Sequence, residues 1–492
     1  MGAYQELKQH FGTIGTLAEI DAILSWDTEA IMPHGAQHAR VEHAAMLQAQ
    51  LHQLTSDPRI PEWLENAQDQ ELLPNDRVNL QWMRRRWVRA TALKTDQIKA
   101  MSKARSKCSM VWRAARKNND FQRVVPYLED LLSHVRNQAH ILADVLERSP
   151  YDALIDRFDP DASEQQITGL FDQLAAFLPS MTEAILARQA EEPPPLALDH
   201  PIDQHQQKKI AQELMRILGF DFERGRLDES AHPFCGGIPD DVRITTNYDP
   251  NNPFFGLLGV VHETGHALYE QGLPAKWHRQ PVGVARSMTI HESQSLLYEM
   301  QLAASPAFLS ILAPLLQLAA GSDHDAWSAH NLERLATRVA RGPIRIQADE
   351  VTYPAHIVLR FQLEKALLHQ ELRVKDLPEA WNEGMRRLVG ITPANDTEGV
   401  LQDIHWYEGH FGYFPTYTLG ALAAAQLFES ANDDHDVKTG IAQGNFLPLR
   451  NWLHTHIHQH AALIDSNTLI ERATGAPLGV DAFRRHLERR YL

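Results

Sequence analysis

Apolar positions along this chain recur mostly at intervals of three and four, the spacing that lines up one face of an α-helix. Residues 167–178 show it plainly: Ile167, Leu170, Phe171, Leu174 and Leu178 form one stripe with polar residues between them. Pro179 follows and reads as the helix stop. Residues 206–218 and 356–372 carry the same period. Strand signals are scarce. The clearest is Asp241-Val-Arg-Ile-Thr-Thr-Asn-Tyr248, where β-branched residues cluster ahead of the breaker Asp249-Pro250. The pattern predicts a mainly α protein with a small β patch near residues 232–250. Glu191-Glu-Pro-Pro-Pro195 is the strongest break, because prolines stop a helix and stiffen the connection. There is no long Gly/Ser linker, internal repeat or low-complexity tract. The 492 residues therefore read as a single body, or two closely joined lobes with a sub-boundary near 191–204.

Composition narrows the classes of function. A formal net charge of −16 repels phosphate backbones and anionic membrane surfaces, so neither nucleic acid nor membrane is an expected partner. Arg84, Arg85, Arg86 and Arg89 form a short basic run beside Trp82 and Trp87, read as a solvated helix face. No stretch of about 18 apolar residues occurs, so no membrane span is predicted. Cys108 and Cys235 are the only cysteines, which makes a disulfide framework unnecessary and fits a reducing compartment. The N-terminus lacks a positive region followed by an apolar core, so the expected location is the cytoplasm.

The strongest chemistry lies in Gly259-Val-Val-His262-Glu263-Thr-Gly-His266-Ala-Leu-Tyr-Glu270, a helical segment ending near Gly272 and Pro274. Two histidines four apart stand one above the other on a helix face, so their ring nitrogens can converge on one ion. Glu263 projects beside that face, placed to take a proton from a metal-activated water. A catalytic zinc needs a third protein ligand and an open position. Thr289-Ile-His291-Glu292-Ser-Gln-Ser-Leu-Leu-Tyr-Glu299 reads as a second helix after a turn, with Glu292 26 positions beyond His266. Glu292, His291 or Glu299 could supply the ligand. Adjacent helical residues diverge by about 100°, so at most one of His291 and Glu292 reaches the metal.

With these residues in view, the sequence resembles the carboxypeptidase Taq family of metallocarboxypeptidases. Six short signatures occur in the family's order: His232-Pro233-Phe234; Asp241-Val-Arg243-Ile-Thr245; His262-Glu263-Thr-Gly-His266; His291-Glu292-Ser-Gln294; Ile344-Arg345-Ile-Gln-Ala348-Asp349; and Gly399-Val-Leu-Gln402-Asp403-Ile-His405-Trp406. Trp26-Asp27-Thr-Glu29-Ala-Ile-Met32-Pro33 also looks like the family's opening segment. The resemblance implies one catalytic domain over residues 1–492, with a large, mainly α, neurolysin-like metallopeptidase fold. It implies a deep substrate groove, a small β patch near the active site, and usually a homodimer. It further implies broad-specificity hydrolysis of C-terminal residues from peptides, with Glu292 as third ligand. Cys235 departs from the pattern, standing where a small hydroxyl residue is expected; it reads as a small buried residue rather than an oxidisable thiol.

The resemblance, together with the chemistry required, implies roles for these residues. His262, His266 and Glu292 hold Zn²⁺, with Co²⁺ as a possible substitute. Glu263 is the general base. His405, Tyr413 and Tyr417 are candidate donors to the oxyanion, with Tyr417 preferred and His405 beside it. Arg345 and Arg243 are candidates for the substrate's terminal carboxylate, which a planar guanidinium grips with two charge-assisted bonds; an internal salt bridge with Asp349 or Asp241 is the competing reading. The resemblance implies that His232 holds substrate backbone. Asp403 is expected to orient His405 or a metal-bound histidine, and Gln294 to support the site or pack the helix. His454, His456, His458 and His460 alternate along a predicted C-terminal helix and read as a solvated face rather than a second metal site. The metal residues alone admit an endopeptidase or dipeptidase on a related fold. A non-catalytic peptide-binding protein is disfavoured, because Glu263 and all three ligands are retained.

Overall fold

The computed structural model describes residues 2–492, and they divide into two compact units. The first unit comprises residues up to Ala90, Pro195–Ala336 and Ala423–Leu478. The second comprises Thr91–Pro194, Thr337–Leu422 and Gly479–Leu492. One boundary, between Pro194 and Pro195, falls in the proline run that stands out in the sequence. Each unit gathers three separate stretches of chain, an arrangement no linear boundary conveys.

Helices dominate both units. In the first, the N-terminal helix Ala3–Ala30 buries Tyr4, Leu7, Phe11 and Ile14 against Ile60, Leu64, Leu80 and Met83. The basic run lies on the helix Pro74–Ala92; its four arginines are half-buried rather than solvated, and Arg85 covers the Trp82 ring. The same unit holds one three-stranded sheet: β1 (Gly225–Glu229), β2 (Phe234–Ile238) and β3 (Asp241–Thr246). Their order is β1-β3-β2, with β1 parallel and β2 antiparallel to β3. The predicted strand is β3. β1 went unread because Gly225-Arg-Leu-Asp-Glu229 is polar and pairs only through a long-range contact with β3.

The helix Pro253–Gln271 is apolar on nearly every side, burying Phe254, Leu257, Val260, Val261, Ala267, Leu268 and Tyr269. Pro253 occupies its first turn, where the missing N–H costs nothing, and Gly272 follows its end. The chain returns as the helix Met288–Leu296, capped by Ser287 Oγ accepting from Ile290 N. It passes directly into a π-helical stretch, Leu297–Ala303.

In the second unit the helix Glu164–Ala190 does not stop at Pro179. The proline forfeits one backbone hydrogen bond, but Met181, Thr182 and Ile185 are buried beyond it and keep the helix in register with the core. Phe171 meets Phe361 of the helix Tyr353–Leu368 edge to face, and Tyr151 stacks on the same ring. Among the described residues no single helix is long and apolar enough to cross a membrane.

Candidate metal centre and its surroundings

In the first unit, His262, His266 and Glu292 each offer one ligand atom, and the three atoms lie within 4.8 Å of one another. They are the one such group of histidine, cysteine and carboxylate side chains found among the described residues. His266 Nε2 is 3.5 Å from a Glu292 oxygen. Donors about 2.0–2.2 Å from a tetrahedral ion stand roughly 3.3–3.5 Å apart, a separation the His266–Glu292 pair meets, and three such donors would leave a fourth position open on a divalent ion.

Helix geometry places the histidines; a glycine places the glutamate. A Cβ at Gly265 would lie 2.5 Å from Gln294 O and 2.7 Å from Ser295 Cα. Only a bare backbone lets the helix Pro253–Gln271 press this closely against the return helix, bringing Glu292 to the histidine pair.

The other candidate ligands have different partners. Glu299, in the π-helical stretch, sits 2.7 Å from His262 Nδ1. The His291 ring is engaged at both nitrogens, Nδ1 2.6 Å from His266 Nδ1 and Nε2 2.9 Å from Glu270. His266 Nδ1 also lies 3.1 Å from His291 O. Both His262 and His266 are thereby engaged at Nδ1, leaving Nε2 available for an ion. Electrostatics follow this packing. Burial disfavours charging His262, but Glu299 outweighs it and holds the ring up to about 10. His266 is pushed down to about 4 by burial and by His291. Burial raises Glu263 to about 7, against the pull of His262. Burial opposes ionisation of Glu292 too, but the His266 bond and the other imidazoles keep it below its ordinary value.

Cys235, on β2, is held well above the ordinary thiol range by burial and by Glu263 and Glu270. Gln294 supports the return helix: its oxygen lies 2.9 Å from His458 Nε2 and its amide donates to Ser293. The predicted C-terminal histidine helix ends at His456. His458 is buried against Tyr269 rather than solvated, because it packs on the helix that carries His262 and His266. His232 is exposed beside β2, its carbonyl accepting from Ser230. Arg243 spends its fork on Asp241 at 2.6–3.0 Å and covers Trp26, clamping β3 to the N-terminal helix.

The second unit carries Arg345, Asp403, His405, Tyr413 and Tyr417. Arg345, 6% exposed, donates to Asp403 Oδ1 from Nε and Nη2, and to Tyr353 OH. Arg360 takes the other Asp403 oxygen at 2.6 Å. Asp403 therefore serves two arginines instead of orienting a histidine. Two guanidiniums share one carboxylate, and neighbouring His356 and His405 are held neutral by burial, at about 3 and about 4. One positive charge in this cluster is left unmatched. Tyr417 OH lies 3.4 Å from His405 Nε2, and Tyr413 packs edge-on to Tyr417.

Comparison with known proteins completes the assignment. The profile of the carboxypeptidase Taq (M32) metallopeptidases matches residues 6–491. The chain belongs to that family. Thermostable carboxypeptidase 1 of Thermus thermophilus is 36% identical over 99% of this chain and 98% of its own. Metallocarboxypeptidase 1 of Trypanosoma cruzi superposes with a TM-score of 0.96 at 36% identity, covering 99% of both chains. The M32 carboxypeptidase of Deinococcus radiodurans gives 0.93 at 31% identity, over 99% of this chain and 98% of that one.

Three residues that shape these surroundings are given no role by the sequence. Glu270 was legible as one more helical turn beyond His266. Gly265 sits inside the motif, but its purpose is visible only against the return helix. Glu364 had no sequence signal. Wholly buried, it accepts from Trp406 Nε1 at 3.1 Å and from Gly412 N, bracketing the loop between His405 and Tyr413. Gly412, at φ +90°, passes too close to Ile155 for any side chain.

Two outcomes are expected. Gly265→Ala should lower the melting temperature and weaken binding of an added divalent metal ion about tenfold or more, since overpacking costs ~1–3 kcal/mol. Calorimetric titration that found wild-type affinity would discount the close approach. Burial raises Glu364 from 4.5 to about 7, so the folded chain holds its proton more tightly and loses stability as pH climbs through that window. Relative to wild type, Glu364→Gln should gain on the order of 2–3 kcal/mol between pH 4.5 and 8 in urea unfolding. A difference that stays flat with pH would contradict it.

Proposed function

We propose that the protein is a zinc-dependent carboxypeptidase that releases C-terminal residues from peptides with broad side-chain tolerance. The observation that carries the reading is the convergence of His262, His266 and Glu292 with Glu263 on the same helix, in a chain matching the M32 family over residues 6–491. A zinc ion held by these residues would lower the pKa of a coordinated water towards about 7 and polarise the scissile carbonyl. Glu263, almost enclosed at 8% exposure, accepts the water's proton on its carboxylate and returns it to the leaving amine.

His405 and Tyr417 are assigned as donors to the developing oxyanion. Their support is mutual: the tyrosine hydroxyl and the imidazole are within reach of each other, and burial keeps the ring neutral. Arg345 is assigned to the substrate's terminal carboxylate. The unmatched positive charge it shares with Arg360 and Asp403 is what a buried carboxylate would balance. Arg243, committed to Asp241 and Trp26, is given the lesser part, holding the sheet in shape. His232, exposed at the start of β2, is assigned to substrate backbone. We also propose a cytoplasmic homodimer, in keeping with free thiols at both Cys108 and Cys235.

Mass spectrometry of a peptide digested with and without chelator tests the reading. Stepwise loss of C-terminal residues, abolished by chelator and by Glu263→Gln at full zinc content, is the expected result. Internal cleavage would convert the assignment to an endopeptidase. Arg345→Ala should cut kcat/KM on free-acid peptides about a hundredfold while changing C-terminal amides far less. Equal losses on both would remove Arg345 from carboxylate recognition.

A further inference from the structure

A histidine that binds an ion through Nε2 must carry its proton on Nδ1, and that N–H needs an acceptor. His262 meets the requirement directly, with Glu299 Oε2 2.7 Å from Nδ1. His266 does not touch a carboxylate through Nδ1. Its Nδ1 faces His291, 2.6 Å from the ring Nδ1 and 3.1 Å from the carbonyl oxygen. The His291 ring can accept there only if its own proton is on Nε2, and that nitrogen lies 2.9 Å from Glu270 Oε1. The tautomers are then set in sequence: Glu270 accepts from His291 Nε2–H, His291 Nδ1 accepts from His266 Nδ1–H, and His266 Nε2 is left with its lone pair towards the ion.

We infer that Glu270, acting through His291, is a positioning residue for the metal, the remote counterpart of the direct anchor Glu299. The two anchors come from different places. Glu270 is one turn beyond His266 on the same helix, so the spacing of the histidine pair continues into it. Glu299 is delivered by the π-helical stretch that follows the return helix. His291 immediately precedes Glu292, so the remote chain also ties the third ligand's helix to His266. Losing it should disturb two ligands, whereas losing Glu299 frees only His262. The inference deepens the proposed function and depends on its metal-site part alone.

The test measures Zn²⁺ affinity of the metal-stripped full-length protein by competition with a chromophoric chelator. Glu270→Ala and His291→Ala are each expected to weaken binding about 10–100-fold. The Glu270→Ala/His291→Ala pair should be no weaker than the weaker single variant within about twofold, because both break one chain. Glu270→Ala combined with Glu299→Ala should multiply, because these are separate anchors. Glu270→Gln keeps an oxygen to accept the Nε2–H and should stay within about threefold of wild type. The visible absorption of the Co²⁺-loaded protein should change in Glu270→Ala and recover in Glu270→Gln. Wild-type affinity in Glu270→Ala, or multiplying losses in the Glu270/His291 pair, would overturn the inference. If His291→Ala does not fold, the comparison of Glu270→Ala with Glu270→Gln decides alone, equal losses counting against it. Peptide hydrolysis is scored separately: a zinc-loaded wild type that leaves peptides intact sinks the carboxypeptidase reading and leaves these affinities standing.

Discussion

The contact of Gly265 with the backbone of Gln294 and Ser295 governs the first unit. Helix axes normally stand 8–10 Å apart, kept there by side chains, and only the smallest residues let them close further. Here the closure occurs between His262 and His266 in sequence. It brings Glu292 within reach of His266 and seats the His291 ring and carbonyl against His266 Nδ1. A second close approach, Gly272 against the His458 ring, fixes the far end of the same helix. Through Gln294 that ring also braces the return helix.

Burial of so many ionisable groups is unfavourable unless each meets a partner. The first unit meets the demand by alternating imidazoles with carboxylates, from Glu299 through His262 and from Glu270 through His291 to His266. Donors held in this way would leave a bound metal ion little to reorganise. The second unit uses another arrangement, two arginines on one aspartate, which leaves a net positive charge rather than neutrality. Within that unit Glu364 does for a loop what Gly265 does for a helix pair: it holds Trp406 and Gly412 so that His405 and Tyr413 lie at the loop's two ends.

Much of this is legible in the sequence. Period-3.6 patterning marks the helices over 167–178 and 206–218, and the i, i+4 rule puts His262, Glu263 and His266 on one turn-and-a-bit of helix, because helical geometry is rigid and local. The strand Asp241–Thr246 was equally plain from its β-branched residues. Local rules failed where a distant partner overrode them. Pro179 did not end its helix, since the burial of Ile185 and its neighbours outweighed one lost hydrogen bond. β1 is strand only because β3 offers it a ladder.

For the site, sequence alone determined the donor types and the shared face of the two histidines, since both depend on residue identity and helical repeat. Periodicity left Glu292, His291 and Glu299 open as the third ligand, and it was the family signature that pointed to Glu292. Tertiary structure decided how the three differ: Glu292 converges with the histidines, Glu299 anchors His262, and His291 bridges His266 to Glu270. It also decided that Arg243 pairs within its own strand and that Asp403 serves two arginines. Those outcomes turn on which side chains share a few ångströms after the chain has folded back, a quantity set by helix separation and not by spacing along the chain.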